Sequence, residues 1–343
     1  MKAAVLHAPR DLRIEDRPDP TPGPNQVTVR IRAGGICGSD LHYYQHGGFG
    51  TVRLRQPMIL GHEIAGEIAA SGPGVENLPP GTPVAVNPSL PCNACRFCLR
   101  GQQNHCLDMR FYGSAMRTPH IDGGFRELLL CEATQAIPLP PGLTIQTAAF
   151  AEPLAVCLHA VRQAGPLLGA RVLVTGAGPI GMLAIMAARQ AGAREIIATD
   201  ILDAPLALAR KLGADHTVNT SNPTALDPYK AQKGQFDAAL EASGNPQALI
   251  NAFETVRPGG TIVQIGIANT EMTLPINMLT AKELTLRGTF RFHEEFAWAV
   301  TALASRAIDP APLLTEIIPL TDAVRAFDLA GDKSRAMKVQ LAF

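Results

Sequence analysis

Residues 171–181 have the sequence Arg171-Val172-Leu173-Val174-Thr175-Gly176-Ala177-Gly178-Pro179-Ile180-Gly181. The first five residues are a short apolar run typical of a buried strand, and an apolar helix is predicted from Met182 to Ala191. A second strand is predicted over residues 195–199. It is followed directly by Asp200, which lies 19 positions after Gly181. A G-x-G-x-x-G pattern is weak evidence by itself. Between a strand and a helix, with an acidic residue at this distance, it predicts a βαβ unit that binds a dinucleotide.

The glycine-rich turn also predicts how a dinucleotide would be held. Its glycines let backbone N–H groups approach a pyrophosphate at the N-terminus of the helix. Asp200 can accept hydrogen bonds from ribose hydroxyls, and neither Ile201 nor Leu202 offers the positive charge that NADP needs, so NAD is expected. A tight glycine turn in another kind of α/β protein is the alternative. The predicted cofactor-binding residues are Gly176, Gly178, Pro179, Ile180, Gly181 and Asp200.

The sequence on either side of this unit predicts two kinds of domain. Further strand candidates at 236–241, 261–266 and 284–288, with a helix at 246–256, predict a parallel, doubly wound sheet. Residues 1–90 instead contain short apolar runs separated by proline and glycine, which predicts a barrel-like antiparallel domain. The chain is expected to leave the parallel sheet at about residue 289 and to end in a strand over 338–343.

A cysteine, a histidine and a glutamate in the N-terminal part offer a metal site. Cys37, His62 and Glu63 supply a thiolate, an imidazole and a carboxylate, which is a donor set that Zn²⁺ prefers. Three protein ligands leave a fourth position open, as in a catalytic zinc site. Ser39 and His42 lie close by in sequence and could carry a proton away, although His42 could equally be an ordinary core or surface histidine.

Glu152 is a candidate for a second carboxylate at this metal. Pro153 suits the first position of a helix, which would place Glu152 at the N-cap. An ordinary acidic cap and a carboxylate that faces the metal, directly or through water, both fit this spacing.

Four further cysteines are closely spaced in a polar segment of about 88–110. Four thiolates within fifteen residues can close a tetrahedral site that has no room for substrate, so a structural zinc is predicted. Since the segment contains little apolar material, metal binding would supply most of its folding free energy. The predicted ligands are Cys92, Cys95, Cys98 and Cys106.

Composition excludes some classes of function. The 343 residues contain 30 Lys and Arg against 30 Asp and Glu, so neither nucleic acid nor an anionic membrane is an expected partner. Pro9, Arg10 and Asp11 come too early for a signal peptide, and glycines interrupt the longest apolar run. Seven cysteines, an odd number with a tight cluster, suit metal binding in a reducing compartment. The cytoplasm is the expected location.

Taken together, these motifs resemble the zinc-dependent medium-chain dehydrogenases over essentially the whole chain. Residues 61–66, followed by Gly72 and Val75, fit that family's zinc signature, and the cysteine segment and glycine-rich turn occur in its order. With glutamates at positions 63 and 152, the chain resembles the polyol dehydrogenase branch of that family. The resemblance implies a GroES-like β-barrel catalytic domain (1–150), a Rossmann NAD-binding domain (151–288), a segment that returns to the catalytic domain (289–343), and a homo-oligomer, either a dimer or a tetramer.

The expected reaction is oxidation of a secondary alcohol by NAD⁺, with two zinc ions per subunit. Tyr43, Arg110 and Arg291 lie in stretches that resemble the family's substrate-facing segments, and an arginine there could bind the carboxylate of a sugar acid. Each arginine could instead form a structural ion pair or bind the cofactor phosphates. A neutral polyol such as sorbitol or xylitol is the alternative substrate, and a non-catalytic protein that binds zinc and NAD is the distant alternative.

Overall fold

The computed structural model describes residues 1–268 and 271–343, and the chain forms two compact units. The first unit contains Met1–Glu152 and Phe296–Phe343, and the second contains Pro153–Glu295. Within the described residues, no helix combines the length and the apolar character that a bilayer-spanning helix needs.

The first 150 residues consist mainly of short strands. Val27, Val29 and Ile31 are fully buried while Arg30 and Arg32 are exposed, as the predicted alternation requires, but Thr28 on the opposite face is also buried. The elements are β1 (Lys2–Ala8), β2 (Asp11–Asp16), β3 (Gln26–Gly35), α1 (Gly38–His46), β4 (Gly48–Phe49), β5 (Val52–Arg53), β6 (Met58–Ile59), β7 (Glu63–Ser71), β8 (Pro83–Val86), β9 (Ser89–Leu90), β10 (Arg110–Phe111), β11 (Leu128–Glu132), β12 (Ala136–Pro138) and α2 (Ile145–Ala148).

The middle of the chain alternates strands and helices. Its elements are α3 (Ala151–Ala164), β13 (Arg171–Thr175), α4 (Pro179–Gln190), β14 (Glu195–Asp200), α5 (Asp203–Lys211), β15 (His216–Asn219), α6 (Asp227–Lys230), β16 (Phe236–Glu241), α7 (Pro246–Thr255), β17 (Val256–Gln264), α8 (Ile276–Ala281) and β18 (Thr285–Gly288). In the described residues, six of these strands form a parallel sheet in the order β15-β14-β13-β16-β17-β18. The strand order reverses its direction between β13 and β16, which creates a crevice at the carboxyl ends of these strands.

The C-terminal residues complete the sheet of the first unit. Their elements are α9 (Glu295–Ala304), β19 (Leu314–Pro319), α10 (Ala323–Gly331) and β20 (Lys338–Ala342). The β20 strand pairs with β3 on one side and with β19 on the other, in a mostly antiparallel sheet ordered β12-β8-β7-β3-β20-β19, with β11 also paired to β3. As a result, side chains at the end of the chain reach the interior of the N-terminal unit.

Candidate metal and dinucleotide sites

Cys37 lies at the junction between β3 and α1. It is the N-cap of α1, and its backbone N–H donates to Asp40 Oδ2 at 3.0 Å. Asp40 Oδ1 accepts from the N–H of Gly61 at 3.2 Å, so this buried carboxylate joins the start of α1 to the segment that carries His62. The positions of Cys37 and His62 are therefore fixed by the same side chain.

Three of the predicted ligands converge in the first unit. Cys37, His62 and Glu63 each offer a ligand atom, and these atoms lie within 4.8 Å of one another. Gly35 faces Glu63 across the β3–β7 ladder, and a Cβ atom at Gly35 would lie 2.1 Å from Glu63 Oε2. Since glycine is the residue that leaves this space open, the glycine in β3 permits the carboxylate to enter the cluster.

Two charged residues that were not among the predicted site residues, Lys338 and Asp40, also contact this cluster. The Lys338 ammonium lies 2.5 Å from Glu63 Oε2 and 2.6 Å from Oε1, with only 4% and 1% of the two side chains exposed. Asp40 Oδ1 lies 3.6 Å from Nδ1 of His62, a buried atom that has no hydrogen-bond partner among the described residues. Asp40 was visible in the sequence as an acidic residue three positions after Cys37, whereas nothing local identified Lys338.

Burial dominates the electrostatics of the cluster. It raises the pKa of the Cys37 thiol to about 11, with a further increase from Glu63, while Lys338 and a hydrogen bond from Ser39 act in the opposite direction. Burial also raises the pKa of Asp40, against the attraction of His62. A bound cation would stabilise the thiolate and the carboxylates, so the donor set fits a metal ion.

Glu152 belongs to the same electrostatic environment. It is 6% exposed, and burial raises its pKa to about 8, with His62 lowering it and Glu63 raising it further. The expectation that Glu152 is the helix N-cap is wrong, because α3 begins at Ala151 and Glu152 is its second residue. Pro153 is still tolerated there, since N–H groups in the first turn have no partner within the helix.

The two predicted proton carriers, Ser39 and His42, are the second and fifth residues of α1. Ser39 lies two residues after Cys37 and lowers the pKa of its thiol, which places Ser39 beside the cluster. His42 is half-buried, with its ring 6.0 Å from that of Phe49 and 6.2 Å from that of His46. Burial, followed by repulsion from His46 and Lys333, lowers the pKa of His42, so its neutral form is favoured at neutral pH.

The three predicted substrate-binding residues occupy different surroundings. Tyr43 is 2% exposed, and its hydroxyl accepts a hydrogen bond from the N–H of Ala115 at 3.0 Å, so it packs in the core. Arg110 is exposed on β10. Arg291 belongs to the second unit, has a left-handed φ of 55°, and holds its guanidinium 4.9 Å from the centre of the Phe290 ring. Of the three, Tyr43 thus has an evident structural role.

The four closely spaced cysteines converge at a second site in the first unit. Their Sγ atoms lie within 4.8 Å of one another. Hydrogen bonds from the N–H groups of Cys98 and Leu107 lower the pKa of Cys95 to about 6, whereas burial raises that of Cys98 to about 12. The Cys106 sulfur accepts from the N–H of Cys92 at 3.2 Å and from that of Asp108 at 3.3 Å. Hydrogen bonds from backbone N–H groups stabilise the thiolate form of cysteine, which is the form that binds a metal.

The glycine-rich turn in the second unit leaves space at the start of α4. Gly176 has a φ of 83°, Gly178 is the N-cap, and Pro179 is the first residue of the helix. A Cβ at Gly181 would lie 1.7 Å from the carbonyl oxygen of Gly176, so close packing requires glycine there. Within residues 1–268 and 271–343, a Cβ at Gly178 would meet nothing within 4 Å, which leaves the helix N-terminus open to a ligand.

Asp200 contacts this turn directly. Its Oδ2 accepts from the N–H of Ala177 at 2.8 Å, and its Oδ1 accepts from those of Ile201 and Leu202 at 2.7 and 3.0 Å. A carboxylate has about four acceptor positions, so one remains for a ribose hydroxyl. The side chain therefore supports the glycine turn in addition to its predicted role.

Comparison with known proteins gives matches in both parts of the chain. Residues 23–141 match the family model described as alcohol dehydrogenase GroES-like domain, and residues 179–305 match the model described as zinc-binding dehydrogenase. With the parallel sheet described above, these matches confirm the predicted fold class, a GroES-like domain and a Rossmann domain.

Several characterised proteins are similar to the chain over nearly its whole length. L-idonate 5-dehydrogenase (NAD(P)(+)) of Escherichia coli strain K12 is 46% identical over 319 residues, which cover 93% of this chain and 92% of that protein. Sorbitol dehydrogenase of Gallus gallus is 36% identical over 343 residues, or 99% and 95% of the two chains. The crystal structure of the Escherichia coli L-idonate 5-dehydrogenase matches with a TM-score of 0.93 at 42% identity, covering 100% of this chain and 98% of that one.

Proposed function

This chain belongs to the zinc-dependent alcohol dehydrogenase family, and from that premise we propose that it interconverts a secondary alcohol of a sugar acid and its ketone. L-idonate and 5-dehydro-D-gluconate are the proposed pair. The observation that carries the proposal is the buried cluster of Cys37, His62 and Glu63, in a chain that is 46% identical to an L-idonate 5-dehydrogenase.

We propose that Cys37, His62 and Glu63 hold the catalytic zinc, with Glu152 bound to it directly or through a water molecule. When bound, zinc lowers the pKa of a substrate hydroxyl as a Lewis acid, and the nicotinamide of NAD exchanges a hydride with the carbon that carries it. Asp40 would orient the His62 imidazole, since metal-bound histidines commonly direct their other ring nitrogen at a carboxylate. Lys338 would balance the negative charge of Glu63.

The proton of the substrate hydroxyl is proposed to leave through Ser39 and then His42. The support is the contact between Ser39 and Cys37, together with the lowered pKa of His42, which keeps the imidazole able to accept a proton. An acceptor with a pKa near or below neutral exchanges protons readily at neutral pH.

The remaining assignments complete the proposal. Cys92, Cys95, Cys98 and Cys106 are proposed to hold a structural zinc, which gives two zinc ions per subunit. The protein is proposed to act in the cytoplasm as a homo-oligomer, a dimer or a tetramer.

NAD is the proposed cofactor, and we expect a preference for it over NADP. Asp200 would repel a 2′-phosphate, and Asp203 adds negative charge nearby, its carboxylate 2.7 Å from the side-chain amide of Asn219. Initial rates with each cofactor at saturating substrate should give a kcat/KM for NAD at least about fivefold higher, since a repelled charge costs on the order of 1 kcal/mol or more. Equal values for the two cofactors would contradict this assignment.

The choice of substrate is tested by comparing L-idonate with sorbitol at equal NAD concentration, following NADH absorbance. We expect faster turnover of L-idonate. The Arg291→Ala variant should lose roughly ten- to a hundredfold in kcat/KM for L-idonate, because a charge-assisted pair with its carboxylate is removed, and should change far less for sorbitol.

A matched control for this variant is Arg306→Ala. Arg306 is also an arginine with a left-handed φ, 57° against 55° for Arg291, and it is exposed after α9. Both substitutions place alanine in the same unfavourable backbone region, so they share that cost. Equal losses on both substrates in Arg291→Ala would assign Arg291 to the fold or the cofactor. Faster wild-type turnover of sorbitol would instead favour a neutral-polyol dehydrogenase.

A further inference from the structure

A buried carboxylate lies at the carboxyl end of the central strands of the parallel sheet. Glu241 is the last residue of β16 and is fully buried. It is paired in register with Thr175, the last residue of β13, and with Gln264, the last residue of β17. These pairings put Glu241 where the strand order reverses, which is where doubly wound sheets bind nucleotides.

The Glu241 carboxylate accepts hydrogen bonds from groups on three different segments. Its Oε1 accepts from the Thr175 hydroxyl at 3.2 Å, from the N–H of Ser243 at 2.8 Å and from the Ser243 hydroxyl. Its Oε2 accepts from the N–H of Gly244 at 3.0 Å and from the side-chain amide of Gln264 at 2.5 Å. Five donors thus converge on a carboxylate that has about four acceptor positions, so its hydrogen-bonding capacity is fully used.

These hydrogen bonds fix a loop that contacts the glycine-rich turn. A Cβ atom at Gly176 would lie 2.8 Å from the Cβ of Ser243, so the turn and Ser243 are in close contact. On the other side, a Cβ at Gly266 would lie 2.1 Å from the N atom of Gly244. The segment after β16 is thus packed between the glycine turn and the segment after β17.

From this arrangement we infer that Glu241 is a positioning residue for dinucleotide binding. Its hydrogen bonds join Thr175, the loop after β16 and Gln264, and it acts on the glycine turn through Ser243, which lies against Gly176. The inference rests on the proposed function, because it requires the glycine turn to bind the cofactor.

The test is the affinity for NADH, measured by fluorescence titration of the full-length protein. Glu241→Gln should raise the Kd for NADH about tenfold. The substitution replaces one acceptor oxygen by an NH2 group, which is a donor and cannot accept the hydrogen bonds from the backbone N–H groups. Since the residue does not touch the reacting atoms, kcat at saturating NAD should change by less than about threefold.

The matched control is Glu195→Gln. Glu195 begins β14 at the opposite, amino end of the same sheet and pairs with Arg171 at 2.6 Å. This substitution also removes the charge of a hydrogen-bonded glutamate and should lower the melting temperature, but it should leave the Kd for NADH within about twofold of the wild-type value. If Glu241 contributed only to stability, both variants would have a lower melting temperature and a Kd for NADH close to the wild-type value.

A milder variant keeps the inference testable if Glu241→Gln does not fold. Ser243→Ala removes one hydroxyl donor and retains the backbone N–H, so it should raise the Kd for NADH about two- to fivefold. Unchanged NADH affinity in Glu241→Gln, or in Ser243→Ala where Glu241→Gln is unfolded, would overturn the inference. Failure of the wild-type protein to bind NADH would overturn the proposed function itself, which separates the two results.

Discussion

A His62→Ala variant should lose the zinc ion of the buried cluster and, with it, on the order of a thousandfold or more in kcat/KM, since Lewis-acid activation of the hydroxyl is removed. Of the predicted ligands, His62 offers the only nitrogen, and the remaining thiol and carboxylate would leave Lys338 as the main partner of Glu63. Metal analysis of the purified protein should give one zinc per subunit in place of two.

Two further variants separate the ligand role from a general effect of losing a histidine. His120 is also buried, and its Nε2 accepts from the N–H of Arg55 at 2.8 Å, far along the chain from the cluster residues. His120→Ala should lower the melting temperature but retain both zinc ions. Asp40→Asn should weaken zinc binding or activity by about ten- to a hundredfold, as outer partners of a metal ligand usually do. Two zinc ions in His62→Ala would exclude His62 as a ligand.

A Cys95→Ser variant should lose the other zinc ion and lower the melting temperature by about 5 °C or more, because binding of the metal supplies folding free energy to this segment. The segment around Cys95 has little apolar packing, since Leu99 and Leu107 are 75% and 64% exposed. Its order therefore depends on the metal, while Cys37, His62 and Glu63 lie elsewhere in the unit.

Cys131→Ala is the control for this prediction. Cys131 is buried in the core formed by the seven-stranded sheet and its sulfur belongs to neither group of candidate ligands in the described residues. The control should retain two zinc ions per subunit, with stability reduced only by the loss of packing. A Cys95→Ser protein with two zinc ions and the wild-type melting temperature would contradict the four-cysteine site.

Features that depend on neighbours in sequence could be predicted from the sequence. The glycine turn is one example. Its eleven residues contain a strand, three glycines and the first residues of a helix, and this local sequence determines the backbone there. The middle of the β3 strand is another, since the alternation from Val29 to Ala33 shows which side chains are buried. The spacing of the four cysteines likewise brings them together within one short segment.

Tertiary structure decided the contacts between residues that are distant along the chain. Lys338 reaches Glu63 only because β20 pairs with β3, and Glu241 meets Thr175 and Gln264 only through strand register. The burial of Tyr43 and its hydrogen bond with Ala115, 72 residues away in the chain, likewise follow from tertiary packing. Periodicity and spacing are set by the local backbone, whereas strand order and register follow from burial of the whole chain, and these bring distant charges together.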